Sequence, residues 1–151
     1  MAEILWIEDQ LERGINQQIG FIREQHPDYS FTVAEDDLKA TNLLKERRFD
    51  LVILDIRMKP VGGESIVSSN TPPRQVGIRL LEALREGRIE GAKTASDVSV
   101  IVLSAIIDES DKKAIMSVTP PPLFYVEKPA DLFEFTEAVE RSLGKNDRKR
   151  I

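Results

Sequence analysis

Four short apolar runs in this chain are followed by residues that could bind a metal ion or a phosphoryl group. Those residues are Glu8 and Asp9, Asp55, Ser104, and Lys128. Runs of this kind are typical of buried strands in a parallel sheet, and ligands of such a sheet bind outside the carboxyl ends of its strands. The pattern therefore predicts one crevice that gathers three carboxylates, a hydroxyl and an ammonium group.

The carboxylates predict a site for a divalent cation. Neighbouring carboxylates raise one another's pKa unless positive charge neutralises them, and Mg²⁺ prefers oxygen ligands. We expect Asp9 to be a direct ligand and Glu8 to act through water, with Asp55 sharing the cation. The backbone carbonyl of Arg57 could complete the coordination.

Asp55 is the expected nucleophile, because it is the lone acid at its strand end. A carboxylate can attack a phosphoryl group and carry it as an aspartyl phosphate. Lys128 could pair first with Asp55 and then with a phosphoryl oxygen. The Ser104 hydroxyl could donate a hydrogen bond to the same oxygen.

Each of these residues also has a structural alternative. Glu8 and Asp9 could cap the helix that follows them, and Asp55 could be a turn residue. Ser104 could be an ordinary loop serine, and Lys128 could lie solvated at a strand end. The functional interpretation is favoured because all of them follow separate predicted strands in one order.

Strand-like and helix-like segments alternate along the chain, which predicts an α/β fold with a doubly wound parallel sheet. The predicted strands are 4–7, 29–33, 51–54, 98–103 and 124–126. The predicted helices are 11–25, 36–48, 76–86, 111–117 and 131–143. Gly87 and Gly144 are the expected stops of the third and fifth helices.

Residues 59–75, here called the insert, are too long for an ordinary connection between a strand and a helix. The insert contains Gly62 and Gly63, a serine-rich stretch and two prolines. It follows Asp55 closely and could be a tolerated surface insertion, a lid or a partner-docking element. We expect one domain over residues 1–144 and a charged tail over 145–151.

Composition narrows the classes of function. The net charge of −5 does not favour nucleic-acid binding. The chain has no cysteine, which excludes disulfides and thiolate chemistry, and the single His26 argues against a histidine-based metal site or a Ser-His triad. No signal peptide and no apolar stretch of about 18 residues is present, so we expect a cytoplasmic protein without membrane attachment.

The ordered motifs resemble the receiver domain of bacterial response regulators (the CheY-like family). That family has an acidic pair after the first strand, an aspartate after the third, Ser/Thr-Ala after the fourth and Lys-Pro after the fifth. The matching residues are Glu8 and Asp9, Asp55, Ser104 and Ala105, and Lys128 and Pro129, with Tyr125 at the position of the aromatic switch residue. The resemblance covers about residues 3–143.

The resemblance implies a flavodoxin-like three-layer fold with strand order 2-1-3-4-5 and five helices. It implies that a histidine kinase or phosphotransfer protein phosphorylates Asp55 with Mg²⁺ bound. Ser104 would then move towards the phosphoryl group and Tyr125 would turn inward. The face formed by the fourth helix, fifth strand and fifth helix would change its affinity for a downstream protein, or for a second copy of the chain.

Two departures from the family pattern stand out. Lys59 separates Met58 from Pro60, and the glycine expected near the start of the third helix is displaced to Gly77. Ile106 lies where relatives carry a polar residue that positions water, which predicts slower loss of phosphate.

Two other functions remain open at this point. A receiver-like adaptor could bind partners without using phosphate, and the long insert favours it. A Mg²⁺-dependent phosphohydrolase would usually carry its nucleophile after the first strand and a second acid two residues later, where this chain has Arg57. We therefore expect no enzymatic activity beyond phosphorylation and dephosphorylation of the chain itself.

Overall fold

Five apolar segments of the chain form one parallel sheet. The computed structural model describes residues 1–10, 14–105 and 108–148, with side chains up to residue 144. The strands are β1 Ala2–Ile7, β2 Tyr29–Ala34, β3 Leu51–Asp55, β4 Ser99–Ser104 and β5 Phe124–Glu127. Their order in the sheet is β2-β1-β3-β4-β5, and all neighbours are parallel. The expected strand order is therefore confirmed.

In the described part of the chain, four α-helices connect the strands and a fifth follows β5. They are α1 Ile15–Gln25, α2 Asp37–Glu46, α3 Val76–Arg85, α4 Glu109–Met116 and α5 Leu132–Arg148, and a short 3₁₀-helix at Pro73–Gln75 precedes α3. The first three residues of the predicted helix 11–25 lie outside the described residues. All five predicted helices are present in the expected order.

Helix boundaries differ from the predictions where capping decides them. The Asp108 carboxylate accepts a hydrogen bond from the Asp111 N–H at 2.8 Å, so α4 begins at Glu109 rather than at residue 111. Gly87 has a φ of 70° and follows the end of α3, as predicted. Gly144 does not adopt a positive φ, and α5 continues through it to Arg148. The prediction that Gly144 ends this helix was wrong.

The sheet is buried on both faces, which explains why its strands are almost uniformly apolar. Alternate side chains of the strands enter two separate cores. One core lies against α2, α3 and α4 and includes Leu5 and Val52. The other lies against α1 and α5 and includes Trp6 and Phe135, whose ring centroids are 5.1 Å apart. Among the described helices, none is long and apolar enough to cross a membrane.

The insert is part of the folded domain. Val67 is 1% exposed and belongs to the core beneath α2 and α3. The buried Asp37 carboxylate, at the start of α2, accepts hydrogen bonds from the Val61 N–H at 2.9 Å and from the Ser65 hydroxyl. The Met58 N–H donates to the Pro73 carbonyl at 3.1 Å and closes the base of the segment. The insert is therefore anchored by polar and apolar contacts, which argues against the surface-insertion alternative.

Candidate functional site

Three carboxylates meet at the carboxyl end of the sheet. Ile7 of β1 pairs with Leu54 of β3, so the residues that follow them leave the sheet at the same level. One carboxylate oxygen from each of Glu8, Asp9 and Asp55 lies within 4.8 Å of the others. Glu8 is 3% exposed and Asp55 is 4% exposed, whereas Asp9 faces solvent. The structure thus brings together the three acids that the sequence singled out.

The ammonium group of Lys128 joins two of these acids. Its Nζ lies 2.5 Å from Glu8 Oε1 and 3.0 Å from Asp55 Oδ2. The backbone N–H of Lys128 donates to the Ser104 carbonyl at 2.8 Å, which holds the lysine at the end of β5 beside β4. The pairing with Asp55 was predicted, but the shorter contact with Glu8 was not. No sequence signal indicated which of the two acids after β1 would point inward.

Burial and the Asp55 carboxylate raise the pKa of Glu8 from 4.5 to about 8, although Lys128 acts in the opposite direction. Burial alone would lower the pKa of Lys128, but its two carboxylate partners outweigh this effect and the pKa is raised. The cluster therefore holds an ammonium ion and an additional proton at neutral pH. A second cation placed there would displace the proton from Glu8.

The donor set fits a hard divalent cation such as Mg²⁺. All three side chains offer carboxylate oxygens, which Mg²⁺ prefers. Glu8 Oε2 is buried and has no hydrogen-bond partner among the described residues, so it is available to a cation. Arg57 lines the same crevice, and its backbone N–H donates to Asp55 Oδ1 at 3.3 Å. Glu8, Asp9 and Asp55 could hold the ion, with the Arg57 carbonyl as the expected further ligand.

The two ends of the insert line the crevice beside these acids. The crevice has a volume of about 790 Å³, which leaves room for a phosphoryl group and its leaving group. Lys59 and Pro73 come from the two ends of the insert and line it. The Lys59 N–H also lies 3.4 Å from Asp9 Oδ2 and donates to it. The segment that departs most from the receiver pattern is therefore in direct contact with the acidic cluster.

Ser104 lies at the end of β4, as predicted, but its hydroxyl does not reach the acids. Its Oγ is buried and unpaired within the described part of the chain, and its neighbours Leu103 and Ala105 line the crevice. Tyr125 is half-buried, and Lys112 Nζ lies 5.4 Å from the centroid of its ring. Burial raises the pKa of the Tyr125 phenol, and the nearby Ser104 hydroxyl partly offsets the effect.

Gly77 explains how α3 can start directly beneath Asp55. Its N–H donates to the Ile56 carbonyl at 2.9 Å. A Cβ at this position would lie 2.5 Å from Ile56 Cα and 2.6 Å from the Asp55 carbonyl oxygen. Only glycine permits this close approach, so the displaced glycine identified in the sequence has a structural role. The other departure, Ile106, lies outside the described residues.

Sequence reasoning missed the residues that anchor the insert. Asp37 and Asp111 were included only as members of the predicted helices 36–48 and 111–117, and Arg74 was not singled out. Arg74 Nη1 lies 2.9 Å from Asp111 Oδ2 in the first turn of α4. Polar residues at the ends of helices are common, so only the folded structure reveals these pairings.

The sequence matches no known family profile, but the fold matches many solved structures. A CheY-like receiver domain from Methanospirillum hungatei is 14% identical, with a TM-score of 0.71 and coverage of 99% of this chain and 98% of its own. The receiver domain of an HD domain-containing protein from Pseudomonas fluorescens is 22% identical, with a TM-score of 0.70 and coverage of 97% and 98%.

A third similar structure is the receiver domain of a sensor histidine kinase from Pseudomonas aeruginosa. It is 21% identical, with a TM-score of 0.64 and coverage of 95% of this chain and 98% of its own. That structure has a magnesium ion coordinated in its active-site cleft. Together these similarities show that the chain has the fold of CheY-like receiver domains over nearly its whole length.

Proposed function

We propose that this receiver-fold chain is a response regulator that accepts a phosphoryl group on Asp55 in two-component signal transduction. The observation that carries the proposal is the ammonium group of Lys128, shared by Asp55 and Glu8 within a cluster of three carboxylates. An isolated turn aspartate would not need a half-buried lysine and two further acids around it. The phosphoryl donor would be a histidine kinase or phosphotransfer protein.

In the proposed reaction, a carboxylate oxygen of Asp55 attacks the phosphorus atom of the donor. A phosphorus–oxygen bond to Asp55 forms as the bond to the leaving group breaks, and the bonding electron pair departs with the leaving group. Mg²⁺, when bound, supplies positive charge that offsets the charge of the phosphoryl oxygens. The Asp55 side chain is held for attack because Oδ1 accepts from the Arg57 N–H and Oδ2 accepts from Lys128.

Lys128 has a second role in this proposal. Phosphorylation converts the Asp55 carboxylate into an acyl phosphate, and Lys128 Nζ can then donate to a phosphoryl oxygen in place of Asp55 Oδ2. Glu8 Oε1 lies 2.5 Å from the same ammonium group before transfer and would limit how far it moves. Lys128 therefore neutralises charge before and after transfer without a large change of position.

The switch would begin at Ser104. Its buried hydroxyl has no hydrogen-bond partner among the described residues and would gain one by moving to the phosphoryl group. Tyr125, which is half-buried, would follow into the space that Ser104 leaves. We expect the face of α4, β5 and α5 to pass this change to a downstream protein or to a second copy of the chain in the cytoplasm. The chain itself would perform no other catalysis.

The second candidate is a receiver-like adaptor whose binding does not depend on phosphate. The anchored insert favours it, because Lys59 and Pro73 stand beside the acids and present a fixed surface there. The two candidates differ in one measurable property, which is covalent phosphorylation of Asp55.

Intact-protein mass spectrometry after incubation with acetyl phosphate, with and without Mg²⁺, tests the proposal. Wild type should gain one phosphoryl group only with Mg²⁺, and Asp55→Asn should gain none. Asp36→Asn is a matched control, because Asp36 caps α2 through the Lys39 N–H at 2.7 Å and asparagine caps equally well. Wild type that binds Mg²⁺ but stays unlabelled would support the adaptor instead.

A further inference from the structure

The insert is joined to the first turn of α4 by an ion pair. Arg74, in the 3₁₀-helix at the end of the insert, places Nη1 2.9 Å from Asp111 Oδ2 and 3.7 Å from Asp108 Oδ2. The Asp111 side chain is only 7% exposed, whereas that of Arg74 is 51% exposed. Because Asp111 is nearly buried and its carboxylate has this cation beside it, loss of Arg74 would leave a poorly solvated charge.

Arg74 is held in place by the rest of the insert. The carbonyl of its neighbour Pro73 accepts from the Met58 N–H at 3.1 Å. Earlier in the insert, the Val61 N–H donates to the Asp37 carboxylate of α2, and Val67 is buried in the core. The Arg74 guanidinium therefore extends from an anchored backbone, and its attraction for Asp111 restrains α4 relative to α2 and α3.

The same turn of α4 is close in sequence to the proposed switch residue. Asp108, which caps α4, lies four residues after Ser104. Ser104 Oγ is buried and has no hydrogen-bond partner among the described residues, so we expect it to move towards a phosphoryl group on Asp55. We expect a shift at the end of β4 to act on the start of α4, and the Arg74–Asp111 ion pair would oppose displacement of that turn.

We propose that the Arg74–Asp111 ion pair restrains α4 in the unphosphorylated chain and opposes the change of conformation that phosphorylation of Asp55 requires. This inference rests on the proposed function. It gives the insert a regulatory role, in which the segment raises the threshold for switching. A partly exposed ion pair of this kind shifts a two-state equilibrium by roughly two- to fivefold.

Hydrogen exchange measured by mass spectrometry on the unphosphorylated full chain tests the restraint first. In Arg74→Gln, amides of α4 (Glu109–Met116) should exchange roughly two- to fivefold faster than in wild type. Arg74→Lys keeps the charge and should restore part of the protection. Arg88→Gln is the matched control, because Arg88 is 50% exposed and its guanidinium pairs with nearby Glu86 at 2.6 Å, away from α4 in sequence. Unchanged α4 exchange in Arg74→Gln would overturn the proposal.

The rate of labelling by acetyl phosphate with Mg²⁺ tests the coupling. Arg74→Gln and Asp111→Asn should each be labelled roughly two- to fivefold faster than wild type, and the double variant no faster than either single one. Faster exchange with an unchanged labelling rate would show that the pair is merely structural and would overturn the coupling. If wild type and all variants stay unlabelled, the proposed function fails and the coupling fails with it, while the exchange data still report the contact.

Discussion

Replacing Glu8 with glutamine should stabilise the fold and remove part of its pH dependence. Glu8 is 3% exposed and shares Lys128 with Asp55. Its pKa rises from 4.5 to about 8 in the folded chain, so the fold binds one more proton there than the unfolded chain between those values. Glutamine has a similar shape, can still contact Lys128 and never needs a proton.

The magnitude follows from linkage between proton binding and folding. Because folding raises the pKa of Glu8, this acid contributes most to the free energy of unfolding at low pH. That contribution is lost as pH rises from 4.5 to about 8. The loss is about 1.4 kcal/mol per pH unit, or about 3 kcal/mol between about pH 5 and about pH 7. A weaker bond to Lys128 offsets about 1 kcal/mol. Glu8→Gln should therefore gain about 2 kcal/mol near pH 7.

Urea unfolding of the chelator-treated protein measures this difference directly. Trp6 is the only tryptophan and is fully buried in the core beside the site, so its fluorescence reports unfolding. Glu3→Gln is the matched control on the same strand, because Glu3 pairs with Arg47 at 3.0 Å on a partly exposed surface. The free energy of unfolding of this control should fall by less than about 1 kcal/mol.

Stabilities of wild type and Glu8→Gln that vary in parallel with pH would refute this prediction. If the free energies of unfolding of wild type and Glu8→Gln change equally with pH between about pH 5 and about pH 8, Glu8 does not hold a proton in the fold. A loss of stability in Glu8→Gln near pH 7 would show instead that the ionised form is the stable one.

Three further outcomes follow from the site. Mg²⁺ must displace the proton of Glu8 when it binds. The apparent Kd for Mg²⁺, measured by calorimetry, should therefore fall by up to about tenfold per pH unit until about pH 8 and stay constant above it. A Kd for Mg²⁺ that does not change with pH would contradict this. Gly77→Ala should cost about 1–3 kcal/mol in urea unfolding because its Cβ meets Ile56 Cα at 2.5 Å. At Gly20 a Cβ meets nothing within 4 Å, so Gly20→Ala should raise the free energy of unfolding by about 0.5–1 kcal/mol. Equal effects of the two substitutions on stability would refute the packing argument. Lys128→Gln should lower the free energy of unfolding by about 2–4 kcal/mol above about pH 8. The decrease should be smaller at lower pH, where protons on the carboxylates replace the lost positive charge. A decrease of the same size at high and at low pH would contradict the charge argument.

The strands and the acidic cluster were predictable because both depend on local pattern and parallel order. A strand buried on both faces needs a short apolar run, and polar residues can appear only where the run ends. That constraint placed Asp55 and Lys128 on the same edge of the sheet. The inward position of Glu8, rather than Asp9, was not predictable, because it depends on which side chain reaches Lys128 in the folded site.

The insert was located but its structure was not predictable. Its stability comes from contacts with distant residues, such as the bond from Val61 to Asp37 and the pair between Arg74 and Asp111. Val67 joins the core although it lies in a serine-rich stretch with no helical or strand period. Patterns within one segment carry no information about such partners. The extension of α5 past residue 144 was missed for a related reason, since glycine permits a stop but does not require one.

The most direct test of the central claim is to locate the phosphoryl group. Borohydride reduces an acyl phosphate to an alcohol, so the protein treated with acetyl phosphate and Mg²⁺ should yield homoserine at position 55 in peptide mass spectra. This product should be absent without Mg²⁺, and Asp55→Asn should give none at any position. Homoserine at another aspartate, or none in a protein that binds Mg²⁺, would contradict the assignment of Asp55 as the phosphoacceptor.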